Sequence, residues 1–183
     1  MNEPDPRAEA AEVRSEPPPS FAAFRLVNSA HSAVTVGEVL LASTHSNAKF
    51  GGGIYFAESE GDLIEFFKSH HGYTYTHVLE CRVAGIALPD LFDLVAHPNA
   101  MRQFEQNWVW RDEAGFQGGA MEEARAKRLA MINAFVVSVG KKGIRWKATQ
   151  GWVELVVHEP HCDGAVLVAS SDELDMWKLK HVL

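Results

Sequence analysis

The chain has 183 residues, of which 46% are hydrophobic and 22% charged, and its formal net charge is −7 at pH 7. This composition excludes collagen-like, fully disordered and disulfide-stapled classes and leaves enough apolar residues for one core. The acidic balance argues against bulk electrostatic attraction to nucleic acid or anionic membranes. Two cysteines, no secretory signal and no apolar run long enough for a bilayer predict a cytoplasmic protein.

The first 20 residues differ from the rest of the chain. They hold five of the eight prolines and five acidic residues, and they contain no aromatic residue. Such a segment cannot recover its ordering entropy through burial. The sequence therefore predicts a disordered leader over residues 1–20 and one folded domain over residues 21–183.

The first half of this domain alternates between strand-like and helix-like patterns. Apolar content and spacing predict a strand at 24–28 and a helix at 30–42, followed by a polar and then glycine-rich segment at 43–53. A second strand is predicted at 54–57. The run Ser-Glu-Gly-Asp at 59–62 resembles a capping box and predicts the start of a second helix.

The second half begins with alternating residues at 73–83, which predict a strand. A long helical pattern covers 121–139 and ends at a glycine. Strand-like runs close the chain at 152–158, 165–169 and 178–183. Because many short strands accompany few helices, the sequence predicts an α+β fold rather than a doubly wound parallel sheet.

The run FGGGIYFA at residues 50–57 carries the most chemical information. Gly51, Gly52 and Gly53 allow positive φ and leave room for a ligand beside the backbone. Tyr55 follows on a strand, and its flat ring suits stacking on a planar heterocycle. Glycine triplets are also common in loops, and Tyr55 also fits as a core aromatic residue, so both interpretations stay open. The usual phosphate-loop and dinucleotide motifs are absent from the sequence.

FGGGIYFA resembles the glycine-rich strand of the ADP-ribosyltransferase superfamily, particularly its diphtheria-toxin/PARP-like branch, whose signature reads F-G-x-G-I-Y-F-A. The runs HVLECRV at 77–83 and WVELVV at 152–157 follow in the family's order of elements, so the resemblance covers residues 21–183. It implies an α+β fold of split antiparallel β-sheets with a few flanking helices.

The resemblance also implies an activity. It points to a mono-ADP-ribosyltransferase that cleaves NAD+ and transfers ADP-ribose to a macromolecular acceptor, a protein rather than a nucleic acid. A bacterial effector or toxin of this kind is cytoplasmic or delivered into a target cell, with NAD+ as substrate and with neither metal nor membrane. The alternatives are NAD+ hydrolysis and a catalytically degenerate module that binds NAD+, ADP-ribose or a protein.

Three catalytic positions follow from the resemblance: Arg25 to grip the NAD+ ribose, Tyr55 to stack on nicotinamide, and Glu154 to support the cationic transition state. The cofactor-binding positions are Arg25, Leu26, Phe50, Gly51, Gly52, Gly53, Tyr55, Phe56 and Phe66. The family's first-strand histidine–glycine pair is missing, so His31 is an alternative to Arg25. Asp163 is an alternative acid. By spacing alone, Arg25 and Glu154 also fit as ordinary surface charges.

The pair His70-His71 and the run HEPHC at 158–162 invite a zinc interpretation, but the spacing matches no established zinc set, so no metal is predicted. The patternless segment between residues 95 and 120 carries Trp108, Trp110 and Phe116. We hypothesise that it contributes to recognition of the acceptor, because long loops commonly do so.

Overall fold

The computed structural model describes residues 18–30, 35–40, 50–69, 74–99, 102, 119–148, 150–159, 161–162 and 164–181. Most of the predicted leader lies outside these ranges, so its disorder stays a prediction. The candidate residues outside them are His31, His70, His71, Trp108, Trp110, Phe116 and Asp163.

The described residues form strands and helices in alternation. The strands are β1 (Ser20–Val27), β2 (Gly53–Ala57), β3 (His77–Ala84), β4 (Leu91–Asp93), β5 (Gly143–Lys147), β6 (Val153–His158) and β7 (Val166–Glu173). The helices described throughout their length are α1 (Glu60–Ser69), α2 (Gly119–Ser138) and α3 (Leu174–His181). No helix in the described part of the chain is long and apolar enough to cross a membrane.

The strands form one seven-stranded sheet in the order β4-β5-β6-β2-β1-β3-β7. Neighbouring strands are antiparallel except β4 and β5, which are parallel. Strands β1 and β2 pair only where Phe24 lies opposite Ala57, whereas β1 pairs with β3 along its whole length. The α+β prediction is confirmed. The sheet is continuous and mixed, and its two parts, β4-β5-β6-β2 and β1-β3-β7, meet at the narrow junction between β1 and β2.

Alternation along the strands gives the sheet two apolar faces. On the first face, Ile54 and Phe56 of β2 pack with alternate residues of β1, β3, β6 and β7. On the second face, Trp146 of β5 and Val156 of β6 pack with Ile132 of helix α2. Burial of each such side chain contributes about 1.5–3 kcal/mol, so the two faces together fix the positions of β2 and β6.

The helix predicted at 30–42 is wrong for its described part, which is residue 30 and residues 35–40. Gly37 has a φ of 88° and its N–H donates to the carbonyl of Val168 in β7 (2.8 Å), while Val39 forms a bridge to the same strand. A positive φ interrupts a right-handed helix. Among the described strands, β7 lies at one edge of the sheet, and the segment bonds to its backbone along this edge instead.

The strand predicted at 178–183 is also wrong, because helix α3 covers residues up to His181. Leu174 and Trp177, three residues apart, are both buried against α1 and β3. This helical spacing outweighs the short-range alternation of lysine and apolar residues that suggested a strand.

The other predicted elements are confirmed with shifted ends. Helix α2 ends at Ser138, just before Gly140, whose φ is 69°. At the start of α1, Ser59 Oγ accepts a hydrogen bond from the Asp62 amide (3.2 Å), as the capping pattern predicts. Strands β4 and β5 were not predicted, although Ile144 and Trp146 of β5 alternate with charged residues.

Candidate functional site

Residues 50–53, here called the glycine ledge, lead directly into β2. The Tyr55 hydroxyl accepts a hydrogen bond from the Phe50 amide and donates one to the Gly51 carbonyl, both at 2.9 Å. Gly51 has a φ of 103°, and a Cβ at this position would collide with Asn133 Oδ1 of α2. Only glycine tolerates both the positive φ and the close approach of Asn133, so the backbone path of the ledge requires glycine at position 51.

His158, at the end of β6, supports the ledge from the other side. Its Nε2 lies 2.6 Å from the Phe50 carbonyl oxygen, and the side chain is only 2% exposed. Burial lowers the pKa of His158 to about 4, so the ring is neutral at pH 7. Because a carbonyl oxygen only accepts, Nε2 carries the proton and donates it.

Tyr55 and Glu154 lie on the same face of the sheet. Tyr55 is opposite Val156 and Ala57 is opposite Glu154, so the two side chains are diagonal neighbours across β2 and β6. On β5, Trp146 lies opposite Glu154 and its Nε1 donates to Glu154 Oε2 at 2.8 Å. The indole thus fixes the orientation of the carboxylate.

Arg25 lies at the junction between β1 and β2. Its Nη1 donates to the Tyr55 carbonyl oxygen at 3.0 Å, where the two strands have stopped pairing with each other. Burial is the main effect on the pKa of the guanidinium and lowers it; Cys81, Tyr75, Cys162 and Glu154 act in the opposite direction. An arginine side chain stays protonated in proteins, so a cation is held against the Tyr55 backbone, on the sheet face that Arg25 shares with Ala23 and Val27.

The charges that act on the Tyr55 hydroxyl add Arg128 to the candidate site residues. Burial is the main cause that raises the pKa of the Tyr55 hydroxyl; Glu154 raises it further and Arg128 of α2 lowers it. The hydroxyl is therefore a neutral donor at pH 7. The effect of Arg128 places a second cation within electrostatic range of the same ring.

The remaining predicted ligand contacts are mostly packing residues. Phe50 is fully buried against Trp146, with ring centroids 4.6 Å apart, and Phe56 is buried in the opposite face of the sheet. Phe66 is half-buried and meets Trp152 edge-on at 5.5 Å. Leu26 is partly buried beside α1. The side chains of Phe50 and Phe56 are both buried, so their assignment as ligand-binding residues stays a prediction.

Sequence reasoning did not single out Arg128, Asn133 or Trp146, and it considered His158 only as a metal ligand. Among the described residues, no group of three or more histidine, cysteine, aspartate or glutamate side chains is arranged to hold a metal ion. The sequence signal for His158 was its position at the end of the strand-like run at 152–158, which the structure pairs with the glycine-rich strand.

No protein-family model matches the chain, and no curated protein matches its sequence. Among solved structures, a chain from the crystal structure of the M. tuberculosis MbcT–MbcA toxin–antitoxin complex is similar to it. The TM-score is 0.50 and the identity 14%, over 91% of this chain and 92% of that chain. At this identity the similarity shows a shared α+β fold over nearly the whole length of both chains.

Proposed function

We propose that the chain binds NAD+ beside the glycine ledge and cleaves its nicotinamide–ribose bond, as a toxin-type mono-ADP-ribosyltransferase. The observation that carries the proposal is the placement of Tyr55 and Glu154 on one sheet face, with the Arg25 cation at the adjoining junction. The fold it shares with a chain of a toxin–antitoxin complex supports a toxin activity and a protein partner that restrains it.

The proposed reaction needs charge stabilisation more than acid or base catalysis. The bond between C1′ of the ribose and the pyridinium nitrogen breaks, and its electron pair goes to nitrogen, so neutral nicotinamide leaves. C1′ becomes cationic until the acceptor's nucleophile bonds to it and loses its proton to solvent. A carboxylate already held in place by Trp146, as Glu154 is, stabilises this cation without reorganisation.

The binding of a dinucleotide requires local positive charge, because the chain as a whole is acidic. NAD+ carries a pyrophosphate with two negative charges; Arg25 contacts the Tyr55 carbonyl, and the charge of Arg128 lowers the pKa of the Tyr55 hydroxyl. These features support NAD+ as substrate.

One observation favours the non-catalytic alternative. The Tyr55 hydroxyl is engaged with the Phe50 amide and the Gly51 carbonyl, so this tyrosine also stabilises the ledge. A structural role of this kind requires no catalysis, so it also fits a module that only binds NAD+ or ADP-ribose. NAD+ hydrolysis differs from transfer only in that water is the nucleophile.

The test uses NAD+ labelled in its ADP-ribose portion, incubated with the protein and a cell lysate. We expect label on a macromolecule with the wild type and none with Arg25→Ala, Tyr55→Ala or Glu154→Ala. Glu123→Gln, at an exposed position of α2, removes one negative charge and should keep full transfer. A folded wild type that neither transfers label nor releases nicotinamide contradicts the proposal. NAD+ binding without cleavage supports the binding module.

A further inference from the structure

The buried residue that the proposed chemistry leaves unused is His158. Its imidazole lies directly against the ledge, since a Cβ at Gly51 would stand 2.9 Å from His158 Nε2 and 3.0 Å from its Cε1. Among the described residues, His158 is the one polar or charged side chain in the fully buried core.

The burial of His158 has a free-energy cost. With Nε2 donating to the Phe50 carbonyl, Nδ1 is a buried acceptor that meets no donor among the described residues. A buried acceptor left without a donor destabilises a protein, and an apolar side chain of similar size would avoid that loss. The hydrogen bond to the ledge is therefore the specific contribution of histidine here.

The bond from His158 completes a set of contacts around the ledge. Phe50 receives it at the carbonyl and gives its own N–H to Tyr55, whose hydroxyl in turn donates to the Gly51 carbonyl. Asn133 of α2 closes the remaining side, next to Gly51 and Gly52. The backbone is thus held on three sides, and the Tyr55 ring is tied to the same set.

We propose that His158 is a positioning residue that holds the glycine ledge and the Tyr55 ring in the arrangement that receives NAD+. The inference rests on the proposed function. His158 acts through the Phe50 carbonyl, without touching the substrate, so its loss should weaken NAD+ binding and leave the chemical step largely intact.

Two variants separate the hydrogen bond from the packing. In His158→Gln the amide nitrogen can replace Nε2 as donor to the Phe50 carbonyl, whereas His158→Leu fills the space with no donor. Val83→Ala removes a buried methyl pair from β3, whose partners are β1 and β7, and serves as a control for loss of stability alone. His158→Met is a second donor-free variant in case His158→Leu does not fold.

The readouts are the dissociation constant and KM for NAD+, kcat for nicotinamide release, and hydrogen exchange of the amides at residues 50–53. For His158→Leu or His158→Met we expect KM and the dissociation constant to rise about tenfold or more, kcat to stay within about threefold, and the ledge amides to exchange faster. His158→Gln should stay within about threefold of the wild type on every readout. Val83→Ala should leave KM and ledge exchange unchanged.

Equal NAD+ binding by the wild type and the donor-free variants overturns the positioning role alone. A parallel loss of kcat with unchanged KM also overturns it, because it would place His158 in the chemical step. A folded wild type that binds no NAD+ instead overturns the proposed function, and with it the role assigned to His158.

Discussion

At the scale of single residues, Glu154 and His158 illustrate two ways in which burial shapes a polar group. Glu154 is half-buried and held by Trp146, so its charge is fixed in direction. His158 is almost completely buried and is kept neutral by that burial. A fixed carboxylate suits the stabilisation of a cation, and a neutral imidazole suits donation to a carbonyl.

The neutrality of His158 predicts a pH dependence of folding. The unfolded side chain titrates near its ordinary pKa of 6.5 and the folded one at about 4, so the unfolded state binds more protons between these values. Stability should therefore fall as the pH drops through this window, by about 2 kcal/mol from this residue between pH 7 and pH 5.

This dependence is checked by urea unfolding of the wild type and His158→Gln at several pH values from 5 to 7. We expect the free energy of unfolding to decline less steeply with acidification in His158→Gln than in the wild type. Identical slopes would show that His158 does not titrate differently in the folded and unfolded states.

At the scale of elements, the ledge and β2 form one unit whose glycines are not interchangeable with others in the chain. Gly51 and Gly151 both have positive φ, 103° and 114°, but a Cβ at Gly151 would meet nothing within 4 Å. Alanine at either position costs about 1–2 kcal/mol for the backbone alone. Gly51→Ala must also displace Asn133 and His158.

We therefore expect Gly51→Ala to lower the free energy of unfolding by about 1–3 kcal/mol more than Gly151→Ala, as measured by chemical denaturation. The combination Gly51→Ala with Asn133→Ala should recover part of this difference, because it removes one of the two colliding side chains. Equal losses for Gly51→Ala and Gly151→Ala would mean that α2 does not pack against the ledge as described.

The strands and helices differ in how well local sequence patterns predict them. The pattern of apolar residues predicted β2 and β6, because their apolar residues face packed layers on both sides of the sheet. It failed at residues 35–40 and in α3, where the outcome depends on the free edge of β7 and on a docking surface formed by α1. Both are long-range partners that no local pattern reveals.

The candidate site, like the fold, was only partly predictable from the sequence. FGGGIYFA located the ledge and Tyr55, and a resemblance located Glu154, which the register of β2 with β6 brings close to Tyr55. The supporting residues His158, Asn133 and Trp146 come from β6, α2 and β5, and their contact with the ledge exists only in the folded chain. Single-sequence patterns carry no information about such contacts.

At the scale of the whole molecule, the two parts of the sheet meet where β1 and β2 share only the Phe24–Ala57 pair. Next to that pair, the Arg25 side chain donates a hydrogen bond to the Tyr55 carbonyl. The candidate site lies at this junction, next to the ledge. The proposed binding of a dinucleotide to this acidic chain requires positive charge concentrated at one place, and the junction is where Arg25 is held.

The measurement that tests the account most directly is the release of nicotinamide from NAD+ by the purified protein, compared with that by Glu154→Gln. We predict release by the wild type, and for Glu154→Gln a rate lower by about 100-fold or more with NAD+ binding retained, because only stabilisation of the cationic transition state is lost. Equal rates for the two proteins, or no release by a folded wild type, would contradict the account.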